Sequence, residues 1–357
     1  MTVRRAPYFQ TVPVRPVGLL RDGLTRCLGF VDSPTGLGPF IAVSLSVLTA
    51  ESPGCGVRDE RQHLCGTGFP LGQQEGGLTL VCRRPVIFKA RTRWILTSLS
   101  CSSAPFLKPQ IAAVWKACQK EKPWLFNGAK FRVHSVVMER GVLTFRMGLT
   151  CYRDFIATNW SSRARELQRL GLADCGESQA YLAEPLGVGA MLHTSNDYFV
   201  FLRRSLEVGE APGLIDIPGG HPEPKAVAPG IPEEAIRLED LSEKLVVQEL
   251  FSSVLGEIRD EVNIPLAALS RPVLLGIARN NTSAGRASAE FYVRCSLNTE
   301  QVRKCYLIGG PEAQESTSIV FIKRQDVLRQ EKNEAFWKEL CPSAKGGVKL
   351  YTLVMGR

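Results

Sequence analysis

The hydrophobic positions of this chain fall into two regimes. Up to about residue 108, short apolar runs are cut by Gly, Pro and Cys, as in Ser33-Pro-Thr-Gly-Leu-Gly-Pro39 and Cys65-Gly-Thr-Gly-Phe-Pro70, and no period persists. From Gln110 onward the pattern is regular. Ile111, Val114 and Trp115 recur at helical spacing, and the β-branched and aromatic alternation of 131–138 and 142–150 predicts two strands. A short amphipathic helix over 163–172 follows, broken near Gly171 and Asp174. The clearest hairpin joins apolar runs 186–193 and 198–204 through Thr194-Ser-Asn-Asp197, residues that favour turns.

Further strands are expected at 273–278, 289–295 and 318–322, with helices near 299–305 and 334–340. The longest periodic segment runs from about Asp240 to Val262. Asp240 and Glu243 give a capping-box signal, and Asn263 before Pro265 gives a left-handed stop. Val247, Leu250, Phe251, Val254, Leu255, Ile258 and Val262 form its apolar face. Strands interleaved with helices predict an α/β domain over 109–357, divided into an N-terminal part (109–180) and a core (181–357), behind a poorly structured extension over 1–108.

Composition narrows the function. With 357 residues, 44% hydrophobic and 8% aromatic, the chain has enough apolar material for a folded core. The net charge of +9 is uneven: residues 1–108 carry 13 basic and 6 acidic side chains, which leaves the larger part nearly neutral. A nucleic-acid partner is therefore not expected. Eleven cysteines without a CxxC pair and only four histidines exclude zinc-ribbon spacing. No apolar run reaches the roughly 18 residues of a membrane span, and no obligate protein partner is evident. The cytosol is the expected compartment, because the prolines of the basic opening stretch spoil the amphipathic helix that mitochondrial import requires.

The chemistry concentrates on the polar face of the long helix. Glu257 and Glu261 are one turn apart with Asp260 between them, so three carboxylates are expected to crowd together. Hard divalent cations with oxygen ligands, Mg²⁺ above all, suit such a face. Upstream stand Asp216-Ile-Pro-Gly219-Gly220-His-Pro-Glu223. Together these elements resemble the Nudix box, with Gly220 as its leading glycine and 256–264 as its second half. Gly256 stands at the box arginine, Asp260 at the first of the paired acids and Asn263 at the late glycine. Gly220 and Glu257 are 37 positions apart where the family has about 15, so about 22 residues are inserted over 221–241. The middle glutamate of the box falls at Gln248, beside Glu249.

Beyond the box, Pro123-Trp-Leu-Phe126, Tyr152-Arg-Asp-Phe155, Thr158-Asn-Trp-Ser161, Phe201-Leu-Arg-Arg204 and Asn281-Thr-Ser-Ala-Gly285 are similar to the uridine diphosphate sugar pyrophosphatases of this superfamily. The resemblance implies a Nudix α/β/α sandwich with a mixed sheet. It also implies Mg²⁺-dependent hydrolysis of UDP-glucose or UDP-galactose to UMP and a sugar 1-phosphate. Glu257 and Glu261 would hold the metal, with Asp260 in support, and Glu257 or Glu290 would serve as general base. Phe126 and Tyr152 would flank the uracil, Arg204 would clamp a phosphate, and Gly209 would admit the nucleotide. Asp216, His221 and Glu223 would meet sugar hydroxyls. The alternatives are another nucleoside diphosphate such as ADP-ribose, or a catalytically idle Nudix fold that binds a nucleotide or a protein.

Overall fold

The computed structural model describes residues 41–46, 80–81, 106–139, 142–329 and 334–356; the remainder of the extension expected over 1–108 lies outside the described residues. Two strands come from that stretch, β1 (Ile41–Ser46) and β2 (Leu80–Val81). Helix α1 (Leu107–Glu121) follows, then β3 (Ala129–Glu139) and β4 (Val142–Cys151), which pair antiparallel and form a three-stranded sheet of order β1-β4-β3. Helices α2 (Tyr152–Ala157) and α3 (Ala164–Cys175) pack with α1 around Leu107, Ile111, Ala157, Leu167 and Leu182. Gly176, at φ 71°, closes α3 in the left-handed conformation, later than the break expected near Gly171.

The expected hairpin is β5 (Gly187–His193) and β6 (Tyr198–Arg204), and two-residue strands β7 (Ile215–Asp216) and β8 (Gly219–Gly220) dock on β6 and β5. The insertion over 221–241 folds as a short helix α4 (Pro224–Val227) and two 3₁₀ turns, burying Val227, Ala228 and Ile236. Helix α5 (Glu243–Val262) leads to β9 (Val273–Asn280) and β10 (Arg286–Arg294). Then come α6 (Thr299–Ile308), β11 (Ser316–Lys323), α7 (Arg324–Val327), α8 (Glu334–Glu339) and α9 (Pro342–Met355).

The second sheet runs β11-β6-β5-β10-β9-β2 and is mixed, because β5 and β10 are parallel while the other pairs are antiparallel. Period-2 alternation along β5 and β10 sends Val188, Ala190, Ala289 and Phe291 to one face and Met191 and Tyr292 to the other. The first face packs on Leu250, Val254 and Ile258 of α5, the second on Ala344, Val348 and Tyr351 of α9. The result is the expected α/β/α sandwich. Helix α5 begins at Glu243 and not at Asp240, whose carboxylate instead accepts from the N–H of Arg237 and closes a 3₁₀ turn. Its other end is as expected, with Asn263 at φ 60°. Among the described residues no helix is long and apolar enough to cross a membrane.

Candidate active site

The site forms where the turn around β8 meets α5. Gly219 pairs with Gly189 of β5 so closely that a Cβ on it would lie 2.3 Å from the Val188 carbonyl oxygen. From there every second backbone N–H faces the helix. Gly219 donates to Glu261 Oε2 at 2.9 Å, His221 to Glu257 Oε1 at 3.1 Å, and the N–H of Glu223 to Glu249 Oε1 at 3.0 Å. Three glutamates of α5, spaced by eight and then four residues, thus read out one peptide segment. Gly220 faces the Glu257 carboxyl directly, where an added Cβ would come within 2.2 Å of Oε1.

The two glycines should therefore fail differently. Gly219→Ala drives a methyl into backbone and is expected to cost about 2 to 4 kcal/mol of stability. Gly220→Ala meets only the end of the Glu257 side chain, which can swing away. It should leave the melting temperature nearly unchanged and lower kcat by roughly 10- to 100-fold. Thermal melts and turnover of both variants would check this, and equal loss of stability would refute it.

Burial dominates the electrostatics of this cluster. Desolvation, then the neighbouring Glu312, push the Glu257 carboxyl up to about 8. Glu261, 6% exposed, is pushed well above the usual carboxylate range by burial and, on the same side of the balance, by Glu257 and Asp216. Neither acid makes an ion pair among the described residues. Asp260 does not join them as expected: Arg259 binds both of its oxygens at 2.7 Å. The crowding comes instead from Glu312 and Glu315, on the segment after α6, brought in because Gly310 lies against the Asp260 carbonyl and Glu312 N donates to it at 3.0 Å.

Arg204 is likewise committed. It donates from Nη1 to Asp216 Oδ2 at 3.1 Å and from Nε to the Glu210 carbonyl at 2.9 Å, which uses two of its five donors. Asp216 also accepts from the Ser343 hydroxyl and the N–H of Ile217, which occupies it within the protein and not with sugar hydroxyls. Glu223 is bound by Lys130 at 2.8 Å and Lys225 at 2.9 Å. The His221 ring is kept neutral by burial, helped by Lys130, Arg286 and Arg204. Arg286 only donates, so its 3.0 Å contact places an acceptor at His221 Nε2 and the proton on Nδ1. Gly209 is exposed with open space beside it. Phe126 is 72% exposed, while Tyr152 is half-buried against Trp115 and Phe155. Tyr152 N donates to the Gly128 carbonyl, which ties the two aromatic segments together. Glu290 is fully buried beneath α9, its oxygens without a hydrogen-bond partner and within reach of Gly189 and Gly347.

No family model matches the chain. It is 60% identical over 251 residues to the human protein named Uridine diphosphate glucose pyrophosphatase NUDT22, a match covering 69% of this chain and 82% of that one. The mouse protein of the same name is 58% identical over 246 residues, 68% of this chain and 78% of its own. Nudix hydrolase 9 of Arabidopsis thaliana is 32% identical over 265 residues, 71% of this chain and 82% of its own. The chain belongs to the Nudix hydrolase family. Among solved structures, the MutT protein from Methanosarcina mazei Go1 is similar at 16% identity over 46% of this chain and 91% of that chain, with a TM-score of 0.28; the strand order above carries the fold, not this likeness.

In this Nudix hydrolase two of the segments outside the box, those holding Asn159 and Ser283, are structural. Asn159 donates to Glu184 Oε1 at 2.8 Å and to the Ser283 carbonyl at 3.1 Å, and Arg279 binds the other Glu184 oxygen. That buried network bolts the α1–α3 lobe to the end of β9. Sequence reasoning missed Lys130, Glu210, Arg286, Glu312 and Glu315. The one local signal was the Glu-x-x-Glu spacing of 312 and 315 behind Gly309-Gly310-Pro, and Glu210 lies next to Gly209.

Proposed function

We propose that this chain hydrolyses the diphosphate link of UDP-glucose or UDP-galactose to UMP and sugar 1-phosphate, with Glu257 and Glu261 holding Mg²⁺. The observation that carries the reading is the pair of un-ion-paired carboxylates one helical turn apart, Glu261 buried and Glu257 half-buried, each held by one backbone N–H of the glycine turn. The substrate follows the relatives, which share 57 to 60% identity with this chain and bear the name uridine diphosphate glucose pyrophosphatase.

The donor set fits magnesium in particular. Two crowded carboxylates that make no ion pair favour a bound cation, which offsets their mutual repulsion. Yet among the described residues no group of three or more His, Cys, Asp or Glu converges as a complete metal shell. Magnesium is the ion that keeps several waters and takes one or two carboxylates together with substrate phosphates. When bound, it supplies neutralisation of charge on the diphosphate.

The remaining work falls to the chain. The N–H groups of Gly219 and His221 fix the two carboxylates, and Glu249 fixes the peptide at Glu223. Neutral His221 offers Nδ1–H as a donor toward the sugar end. Of the two acids considered as general base, Glu257 lies within the acidic cluster, whereas Glu290 is sealed under α9; we assign the role to Glu257.

Phe126 and Tyr152 are the base-binding aromatics in this reading. A ring left 72% exposed contributes little to the core, so Phe126 is available for stacking. Tyr152→Ala is expected to raise KM for UDP-glucose roughly 5- to 150-fold, with kcat changed much less, because the base is remote from the reacting phosphorus. An unchanged KM would return Tyr152 to a packing role.

The deciding assay incubates the full chain with UDP-glucose, UDP-galactose or ADP-ribose, with Mg²⁺ or a chelator, and follows UMP and sugar 1-phosphate. Mg²⁺-dependent release from the UDP-sugars supports the reading. Turnover of ADP-ribose alone would sink the substrate, and no turnover of any would sink the activity.

A further inference from the structure

The loop between β6 and β7, residues 205–214, is drawn onto the site by one side chain. Glu210 Oε1 accepts from Asn280 Nδ2 at 2.8 Å, and Oε2 accepts from Arg286 Nη2 at 2.9 Å. The Glu210 carbonyl accepts from Arg204 Nε at 2.9 Å. Residues from β6, β9 and β10 therefore converge on it. The loop turns back sharply through Ala211 at φ 50° and Gly213 at φ 73°, and Arg203 Nη1 holds the Gly213 carbonyl. Glu210 nonetheless keeps a quarter of its side chain exposed, beside the open space at Gly209.

Its neighbours give it a definite place between the aromatic cluster and the acids of α5. On one side Arg286 carries the connection to the aromatic cluster: its guanidinium carbon lies 5.7 Å from the centre of the Phe155 ring, which stacks against Tyr152. Tyr152 also feels the Glu210 charge directly. On the other side the same Arg286 reaches His221, and Arg204 lies within the fields of both Glu210 and Glu261. Glu210 thus stands between the aromatics and the metal-binding acids. A nucleoside diphosphate sugar laid out with its base on Tyr152 and its diphosphate on Glu257 and Glu261 has its ribose between them.

We infer that Glu210 is the residue that binds the ribose hydroxyls of the substrate and so selects ribonucleotides over deoxyribonucleotides. An anion here repels a phosphate, so the group it receives must be a donor. A carboxylate accepts about four hydrogen bonds, and Asn280 and Arg286 use two, one on each oxygen. The vicinal hydroxyls of a ribose match the lone pairs that remain, as acidic side chains meet ribose hydroxyls in dinucleotide-binding folds. Asn280 and Arg286 are positioning residues that fix the rotation of the carboxylate.

This inference rests on the UDP-sugar reading, and its test separates the two. The full chain and its Glu210→Gln variant are assayed with UDP-glucose and with 2′-deoxyuridine diphosphate glucose, and melting temperatures are recorded. The unmodified chain should prefer the ribose substrate in kcat/KM by roughly 10- to 100-fold, the worth of one hydrogen bond to a charged acceptor. In Glu210→Gln that preference should shrink to within about threefold, whatever the overall loss of rate. A loop-anchoring role alone would lower both substrates equally and leave the ratio intact, which would overturn the inference, as would equal use of the two sugars by the unmodified chain. No turnover of either by the unmodified chain would overturn this inference and the UDP-sugar reading together. Should Glu210→Gln melt early, Asn280→Ala serves as the second variant. It frees one carboxylate oxygen without removing the charge, and a ratio that falls only part of the way is expected.

Discussion

Glu261→Gln is expected to remove nearly all turnover, by roughly 10³-fold or more in kcat, while the protein remains folded and melts no earlier than the unmodified chain. If Glu261 holds the metal as proposed, loss of its charge withdraws several kcal/mol of transition-state stabilisation, which sets the scale of the kinetic effect. The stability half of the prediction follows from the surroundings of the side chain. Glu261 is 6% exposed, its carboxyl is held well above the usual range by burial, and its hydrogen bond comes from the Gly219 N–H at 2.9 Å. A glutamine keeps an oxygen for that donor and replaces an acid whose ionisation burial opposes in the metal-free protein. Turnover with Mg²⁺ and melting with a chelator are the two measurements. Wild-type turnover would remove the metal assignment, and a large drop in melting temperature without metal would show that the carboxylate is a structural acceptor.

The separation of function from stability also explains which parts of the site could be read from sequence. Spacing on a helix is local, so Glu257 and Glu261 were legible from their separation by four residues, and Asn263 announced the left-handed end of α5. The hairpin of β5 and β6 was legible for the same reason, because turn residues sit between two apolar runs. Asp260 illustrates the limit. Its spacing puts it near both glutamates, but the adjacent Arg259 takes its carboxylate, and the choice between these partners is made by side-chain geometry. Arg204 and Asp216 each looked like a ligand-binding group, and neither segment alone says that β7 docks on β6 and joins them. Glu312 and Glu315 enter the site only because Gly310 allows two backbones to touch. Helix α9 was missed because Pro342, Ser343, Gly346 and Gly347 dilute its helical signal. Gly347 is explained by its neighbours: it packs against Ile217 and Met191, and a Cβ on it would come within 2.7 Å of Ile217.

The acids that make the site should also make the protein's stability depend on pH in an unusual direction. Carboxyls whose folded pKa is raised hold their protons longer in the folded state than in the unfolded chain. Folding is then strongest near or below the ordinary carboxylate range and weakens as pH rises toward the folded value. Glu257 and Glu290 are both pushed up to about 8, each chiefly by burial, and burial raises Glu261 well above the usual carboxylate range in the same sense. Metal-free protein should therefore lose stability steadily between about pH 5 and about pH 8, on the order of several kcal/mol in all. Magnesium should reverse only part of this loss. Held by Glu257 and Glu261 as proposed, it would stabilise their ionised forms, so the gain in melting temperature on adding it should be small near pH 5 and large near pH 8. Glu290 lies apart from that pair, beneath α9, with Asp216 and Arg286 as its charged neighbours, and its share should persist at saturating Mg²⁺. Glu290→Gln is accordingly expected to flatten the pH dependence that remains in the presence of metal, while leaving the metal-sensitive part in place. Melting curves across this range, with and without Mg²⁺ for both proteins, separate the two contributions. A stability that rises with pH in the metal-free chain would contradict the burial of all three carboxyls. A Glu290→Gln variant that loses the magnesium response would place Glu290 among the metal-binding acids after all, and would reopen the assignment of the general base to Glu257.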